Sequence, residues 1–150
     1  MPSSVKKIGK NAFADCTSLK EVYLDLAPIA SIAEYAFGNC TALSKVVIES
    51  GICLSLADYV FAECTSLTSI TLPRSARRQG YASDTWPFYK CSALKTINYR
   101  GSKGDRLFAS KAEDFFDKQW YEGVVVDKLY DDYVNAFKNG LTINYNYIGE

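Results

Sequence analysis

A chain of 150 residues suits one compact domain, and its 48% hydrophobic and 14% aromatic content supplies a packed core, which excludes a disordered polymer. Its 17 basic and 17 acidic residues balance to zero formal charge, which argues against a nucleic-acid or anionic-membrane surface, because both need an excess of Lys and Arg. No apolar run reaches the roughly 18 residues of a membrane-spanning helix, and the opening Met1-Pro2-Ser3-Ser4-Val5-Lys6-Lys7 lacks the apolar stretch of a signal peptide.

In chain order, the first organised segment is Asn11-Ala12-Phe13-Ala14-Asp15-Cys16-Thr17-Ser18-Leu19, and it returns three times. Phe13, Phe37, Phe61 and Phe88 are separated by steps of 24, 24 and 27 residues. Cys16, Cys40, Cys64 and Cys91 keep the same steps, as do Leu19, Leu43, Leu67 and Leu94. After each Leu comes an alternating pair, Val22 and Leu24, Val46 and Ile48, Ile70 and Leu72, Ile97 and Tyr99, which predicts half-buried strands near 20–24, 44–48, 68–72 and 95–99. Before each Phe recur two more apolar columns, Val5, Ile29 and Cys53, then Ile8, Ile32 and Leu56. Each repeat therefore predicts a strand, a turn, a second extended stretch and a short helical turn at Ala-Phe. One such coil cannot bury its apolar side, so the coils must stack into ladders with the strands in a parallel sheet.

The run from Ile8 through Leu24 resembles the BspA-like, or Treponema pallidum-type, leucine-rich repeat, whose pattern is I-G/A-x-x-A-F-x-x-C-x-x-L-x-x-I/V-x-L. The resemblance covers residues 5–101. It implies a curved solenoid from surface proteins of gut and oral bacteria and some protozoa, described as adhesins or host-interaction proteins. The expected fold class is thus α/β, a leucine-rich-repeat solenoid with a parallel sheet and a C-terminal cap. Residues 1–101 form four repeats and 102–150 form the cap.

Further along, Pro73-Arg74-Ser75-Ala76-Arg77-Arg78-Gln79-Gly80-Tyr81 carries the three extra residues and is expected to bulge as a loop with solvated arginines. From Asp105 to Trp120 and from Asp127 to Lys138 the apolar spacing predicts two helices. Asn139-Gly140 provides a stop, and Leu141 to Ile148 alternates like a last strand, with Ile143-Asn144-Tyr145 echoing Ile97-Asn98-Tyr99. A solenoid end exposes an apolar cross-section and an open strand edge, so this tail is expected to close it. Nothing comparable precedes the first coil, and the chain is therefore expected to be the C-terminal part of a longer array.

The absence of histidine removes Ser-His and Cys-His nucleophile pairs and His metal ligation. Neither a phosphate-binding glycine loop nor a C-x-x-C pair is present. The repeated cysteines and Cys53 fall on apolar columns, where a thiol acts as a small hydrophobe, and they are expected to stay reduced. The adjacent acids Glu113-Asp114 and Asp131-Asp132 read as solvated helix faces, because glycoside hydrolysis needs carboxylates opposed across a groove. No catalytic residue, metal or cofactor is expected. What remains is the outer face of the strands, concave in this architecture: Glu21, Lys45, Ser69 and Thr96, then Tyr23, Val47, Thr71 and Asn98, then Asp25, Glu49, Pro73 and Arg100. These residues suit a protein or a glycan, with Tyr23 as the aromatic anchor. A monomeric, non-enzymatic binding module is the expectation, with a ligand-free spacer as the alternative; the N-terminal residues fit either a cytoplasmic chain or one whose signal and upstream sequence have been removed, and the resemblance implies a cell-surface or secreted location.

Overall fold

A computed structural model describes residues 4–50, 53–79, 87–101, 142–144 and 146–148. Nine strands are present among them: β1 (Lys7–Ile8), β2 (Glu21–Leu26), β3 (Ile29–Ile32), β4 (Lys45–Ser50), β5 (Cys53–Ala57), β6 (Ser69–Leu72), β7 (Ala76–Gln79), β8 (Thr96–Tyr99) and β9 (Thr142–Asn144). They form two all-parallel sheets, β1-β3-β5-β7 and β2-β4-β6-β8-β9. Odd and even strands alternate between the sheets through β8, so the chain winds as a parallel-strand solenoid, making three turns from β2 to β8. The register follows the repeat, with Val22 opposite Val46, Val46 opposite Ile70, and Ile70 opposite Ile97. The second extended stretch is thus a sheet in its own right, pairing Ile8 with Ile32 and Ile32 with Leu56.

The core lies between these sheets. Leu24, Ile48, Leu72 and Tyr99 stack inward from one, and Ile8, Ile32 and Leu56 from the other, all buried. A third wall comes from the phenylalanines, whose neighbouring rings lie 5.1, 5.4 and 5.8 Å apart and within 11° of parallel. Phe37, Phe61 and Phe88 are buried, whereas Phe13, Cys16 and Leu19 of the first coil are only partly covered. Phe13 meets a ladder ring on one side only, Phe37, whereas Phe37 and Phe61 are each flanked by rings on both sides.

Two expectations change, and a third lies outside the described residues. The Ala-Phe segment is not helical. It is a pair of turns whose intrinsic bonds span three residues, Ala12 N–H to Gly9 O and Ala14 N–H to Asn11 O in the first coil. Left-handed residues flank the first three Phe, Asn11 and Asp15, Tyr35 and Asn39, Tyr59 and Glu63, and Lys90 follows the fourth, all at φ between 54° and 60°. This conformation cannot propagate a right-handed helix. Instead it turns alternate N–H groups outward to the next coil: Phe13 donates to Ala36 O at 2.8 Å, Asp15 to Gly38 O at 2.9 Å, Phe37 to Val60 O at 2.9 Å and Asn39 to Ala62 O at 2.8 Å. An α-helix would use those donors internally.

Next, the segment expected to bulge after Pro73 contributes β7, which pairs Leu54 with Ala76 and Ala57 with Gln79. Counted against the preceding coil, the link from β6 to β7 is two residues shorter and that from β7 to Phe88 five longer, which together account for the longer step. Backbone pairing to β5 satisfies groups that a loop would leave to water. Finally, no helix occurs among the described residues. The helices expected at 105–120 and 127–138, with the aromatic contacts expected of Phe108, Phe115, Phe116, Trp120, Tyr130, Tyr133 and Phe137, lie outside them. The closing strand does form. β9 pairs Ile97 with Ile143 and Asn98 with Asn144, so the sequence echo is also the register. Asn144 Nδ2 donates to Asn98 Oδ1 at 2.8 Å, and Tyr147 N–H to Tyr99 O at 3.0 Å.

Two stability tests follow from this packing. Phe37→Ala should cost about 3–5 kcal/mol in urea denaturation, as for an emptied aromatic core site, and Phe13→Ala clearly less. At the sheet end, a Cβ on Gly101 would collide with the Tyr99 ring, while one on Gly9 meets nothing within 4 Å. Gly101→Ala should therefore lower the melting temperature by several degrees and Gly9→Ala should leave it nearly unchanged; equal effects would show that the turn after β8 is loosely packed.

Candidate functional site

The outer face of the five-stranded sheet divides into an open edge and a closed middle. On β2, Glu21, Tyr23 and Asp25 are exposed, Tyr23 by 53%. Glu21 Oε2 accepts from the Tyr23 hydroxyl at 3.3 Å, and Lys45 Nζ lies 5.8 Å from the centre of the Tyr23 ring, within cation–π range. Lys45, Ser69, Thr96 and Asn98 are half-buried. The expectation fails at Val47 and Thr71, which are only 3% and 2% exposed, and at Pro73, which is buried. Adjacent strands are about 4.8 Å apart, so a short side chain between longer neighbours is shaded from solvent. Val47 sits between Tyr23 and Thr71 in the register. Arg100 adds cover by reaching from the end of β8 past the β6 position to Glu49 on β4, where its Nη2 donates to Oε1 at 2.7 Å. Of the expected columns, the structure brings Glu21, Tyr23, Lys45, Asp25 and Glu49 together as accessible polar and aromatic groups at the β2–β4 end. The exposed Arg74 stands apart from them, and the side chains of Arg77 and Arg78 lie outside the described residues.

The cysteines form a second ladder with a defined chemical state. Cys16, Cys40, Cys64 and Cys91 are free thiols. Each buried one donates to the Phe carbonyl of the preceding coil: Cys40 Sγ to Phe13 O at 3.1 Å, Cys64 Sγ to Phe37 O at 3.1 Å and Cys91 Sγ to Phe61 O at 3.0 Å. A thiolate has no hydrogen to give, so at Cys64 and Cys91 this arrangement goes with the protonated form. Burial pushes the Cys91 thiol up to about 12. In the Cys40–Cys64 pair, Cys64 is held protonated, first by its contact with Cys40 and then by burial. Cys64 and Cys91 are therefore structural sulfurs with depressed nucleophilicity, while the contact with Cys64 moves the Cys40 thiol downward. No group of three or more His, Cys, Asp or Glu side chains is placed to hold a metal among the described residues.

A third feature was not anticipated. Along the stacked turns runs an open groove of about 430 Å³. Its floor is Ala14, Gly38 and Ala62; Asn11 and Tyr35 form one wall, and Asp15, Asn39 and Glu63 the other. The walls are the two left-handed columns, so the turn geometry that links the coils also builds the groove. Asn39 Nδ2 donates to Asp15 Oδ1 at 2.7 Å, Lys90 pairs with Glu63 at 3.4 Å, and Lys10 with Glu34 at 2.9 Å. Tyr35 is stacked on Tyr59 with ring centres 5.2 Å apart, and Tyr59 meets Tyr89 edge-on at 5.5 Å. The sequence signal was a small residue at each of 14, 38 and 62 between two polar or aromatic columns; a helical reading of the turn scatters those positions around an axis and hides it.

Two parallel sheets, one coil per strand pair and continuous ladders of Phe, Cys and Leu define a leucine-rich-repeat solenoid. The chain belongs to the BspA-type family of such repeats: the model of the BspA type leucine rich repeat region, in six copies, matches residues 1–111. No curated protein and no solved structure matches significantly.

The thiol ladder gives a signed pH dependence. An unfolded thiol ionises near about 8.5, while Cys91 in the fold holds its proton up to about 12. The folded state therefore binds more protons in that window, and stability present at neutral pH should fall as pH rises through it. Urea midpoints at pH 7.5 and 10 should show a smaller alkaline loss for Cys91→Ala than for the unsubstituted chain; identical losses would mean that the thiol is not shielded.

Proposed function

We propose that this chain is a non-enzymatic binding module of a cell-surface or secreted protein, engaging a protein or glycan partner in adhesion or host contact through the outer face of its five-stranded sheet. The single observation that carries the reading is Tyr23: a large aromatic ring held in the open on a regular strand, flanked by Glu21, Asp25 and Lys45. An aromatic ring with a polar rim is the composition of interaction hot spots. Membership of the BspA-type repeat family adds support, since solenoids of this kind serve as extended interaction surfaces and are generally non-catalytic.

A specific observation favours a second reading. Val47 and Thr71 are covered and Glu49 is paired internally with Arg100, so the middle of the sheet face is already satisfied. A spacer that projects another domain needs nothing more. The two readings separate on immobilised chain probed with extracellular-matrix proteins and a glycan array. Saturable binding that weakens by about tenfold or more in Tyr23→Ala, the loss of one hot-spot aromatic, supports the binding module. Tyr23→Ala should leave the thermal midpoint nearly unchanged because the residue is exposed. Complete absence of binding across both panels supports the spacer.

A further inference from the structure

The groove on the turn face is a site separate from the sheet face. Its chemistry follows from one break in a ladder. The column Asn11, Tyr35, Tyr59 places a tyrosine in two successive coils and a small amide in the first. Tyr35 has a ring partner in Tyr59, but where the ladder would continue there is only Asn11, and Tyr35 is 38% exposed. The groove occupies this step. A flat ligand ring placed against Tyr35 would extend the stack by one more layer.

Two further observations describe how the tyrosine is placed there. Tyr35 adopts φ 54°, a left-handed conformation that a bulky residue rarely occupies and that Asn11 fills at the equivalent turn with little strain. Tyr59 shares this conformation at φ 60°, so it belongs to the turn that carries the bonds between coils. Gly38 in the floor is also shaped to the ring: a Cβ there would lie 3.1 Å from Tyr35 Cδ1. The missing side chain leaves the Tyr35 ring room beside the groove floor.

The walls select the ligand class. Asp15 and Glu63 offer carboxylate acceptors and Asn11 and Asn39 offer amides, a mixture that suits paired hydroxyl groups, which both donate and accept. With Lys10 and Lys90 paired to Glu34 and Glu63, the Asp15 carboxylate leaves the groove with a negative charge in excess, which disfavours an anion. The volume of about 430 Å³ falls within the roughly 300–1,000 Å³ of small-ligand sites. From these features we propose that the turn-face groove binds a neutral pyranose unit of a glycan, its apolar ring face on Tyr35 and its hydroxyls on Asp15, Asn39 and Glu63.

The test uses the full chain, labelled with ¹⁵N and titrated with cellotriose, N-acetylchitotriose and mannotriose, with tetramethylammonium as a cationic probe. At least one of the sugars should give saturable amide shifts clustered at residues 11–15 and 35–39. Tyr35→Asn should abolish or weaken this binding by about tenfold or more while preserving or raising the thermal midpoint, because Asn is the residue native to the matching turn. Asp15→Asn, which keeps a left-handed-tolerant residue, should weaken binding on its own, and Tyr23→Ala should leave it unchanged. The proposal is overturned if none of the three sugars gives saturable shifts, if the shifts survive Tyr35→Asn, or if tetramethylammonium alone perturbs the Tyr35 turn.

Discussion

Backbone hydrogen bonding between successive coils is the constraint on which everything else in this molecule depends. It operates in both sheets and also through the turns, where Phe13, Asp15, Phe37 and Asn39 each donate to the coil above. Parallel strands so bonded sit about 4.8 Å apart, and any residue type that recurs with the period must then stack on its own copy. The phenylalanine spacings of 5.1–5.8 Å are that separation seen in side chains. Thiols behave likewise: each buried cysteine reaches the Phe carbonyl one coil back. Here a cysteine does what a larger hydrophobe cannot, filling an apolar column while satisfying a backbone acceptor.

The same constraint explains where the molecule tolerates irregularity. The longer step before Phe88 is absorbed outside the paired segments, leaving β6 and β8 in register and the phenylalanine ladder unbroken. Likewise β9 arrives from far along the chain and takes the next position on the sheet, Asn144 on Asn98. Sequence distance matters little to a solenoid so long as the arriving strand presents matching inward residues and an extended backbone.

Exposed aromatic rings occur where a ladder is interrupted. On the sheet face Tyr23 has Val47, not another aromatic, as its register neighbour. On the turn face Tyr35 has Asn11. In both places a large ring stands beside a small side chain and keeps its exposure, whereas the uninterrupted Phe column is buried throughout its interior. Periodicity buries side chains, and its lapses leave large rings exposed.

The 24-residue step, the Phe, Cys and Leu columns and the alternation after each Leu were enough to place the strands at β2, β4, β6 and β8, their parallel order and the identity of the core, because a periodic pattern can bury its apolar positions in only one way. The echo of Ile97-Asn98-Tyr99 in Ile143-Asn144-Tyr145 likewise announced the partner of β8. Exposure on the sheet face was not legible: Val47 and Thr71 alternate outward as the pattern requires, yet their covering depends on the lengths of neighbours 24 and 27 residues away and on Arg100 reaching two strands across to Glu49. The turn-face groove was invisible for a related reason. Ala-Phe-x-x-Cys fits a helical turn as well as it fits two β-turns. Only the bonds that each coil makes to the next select the left-handed residues that open the floor at Gly38 between Tyr35 and Asn39. Local pattern determines which residues face inward, but how far an outward residue is covered, and which of two turn geometries is adopted, is decided by contacts between coils.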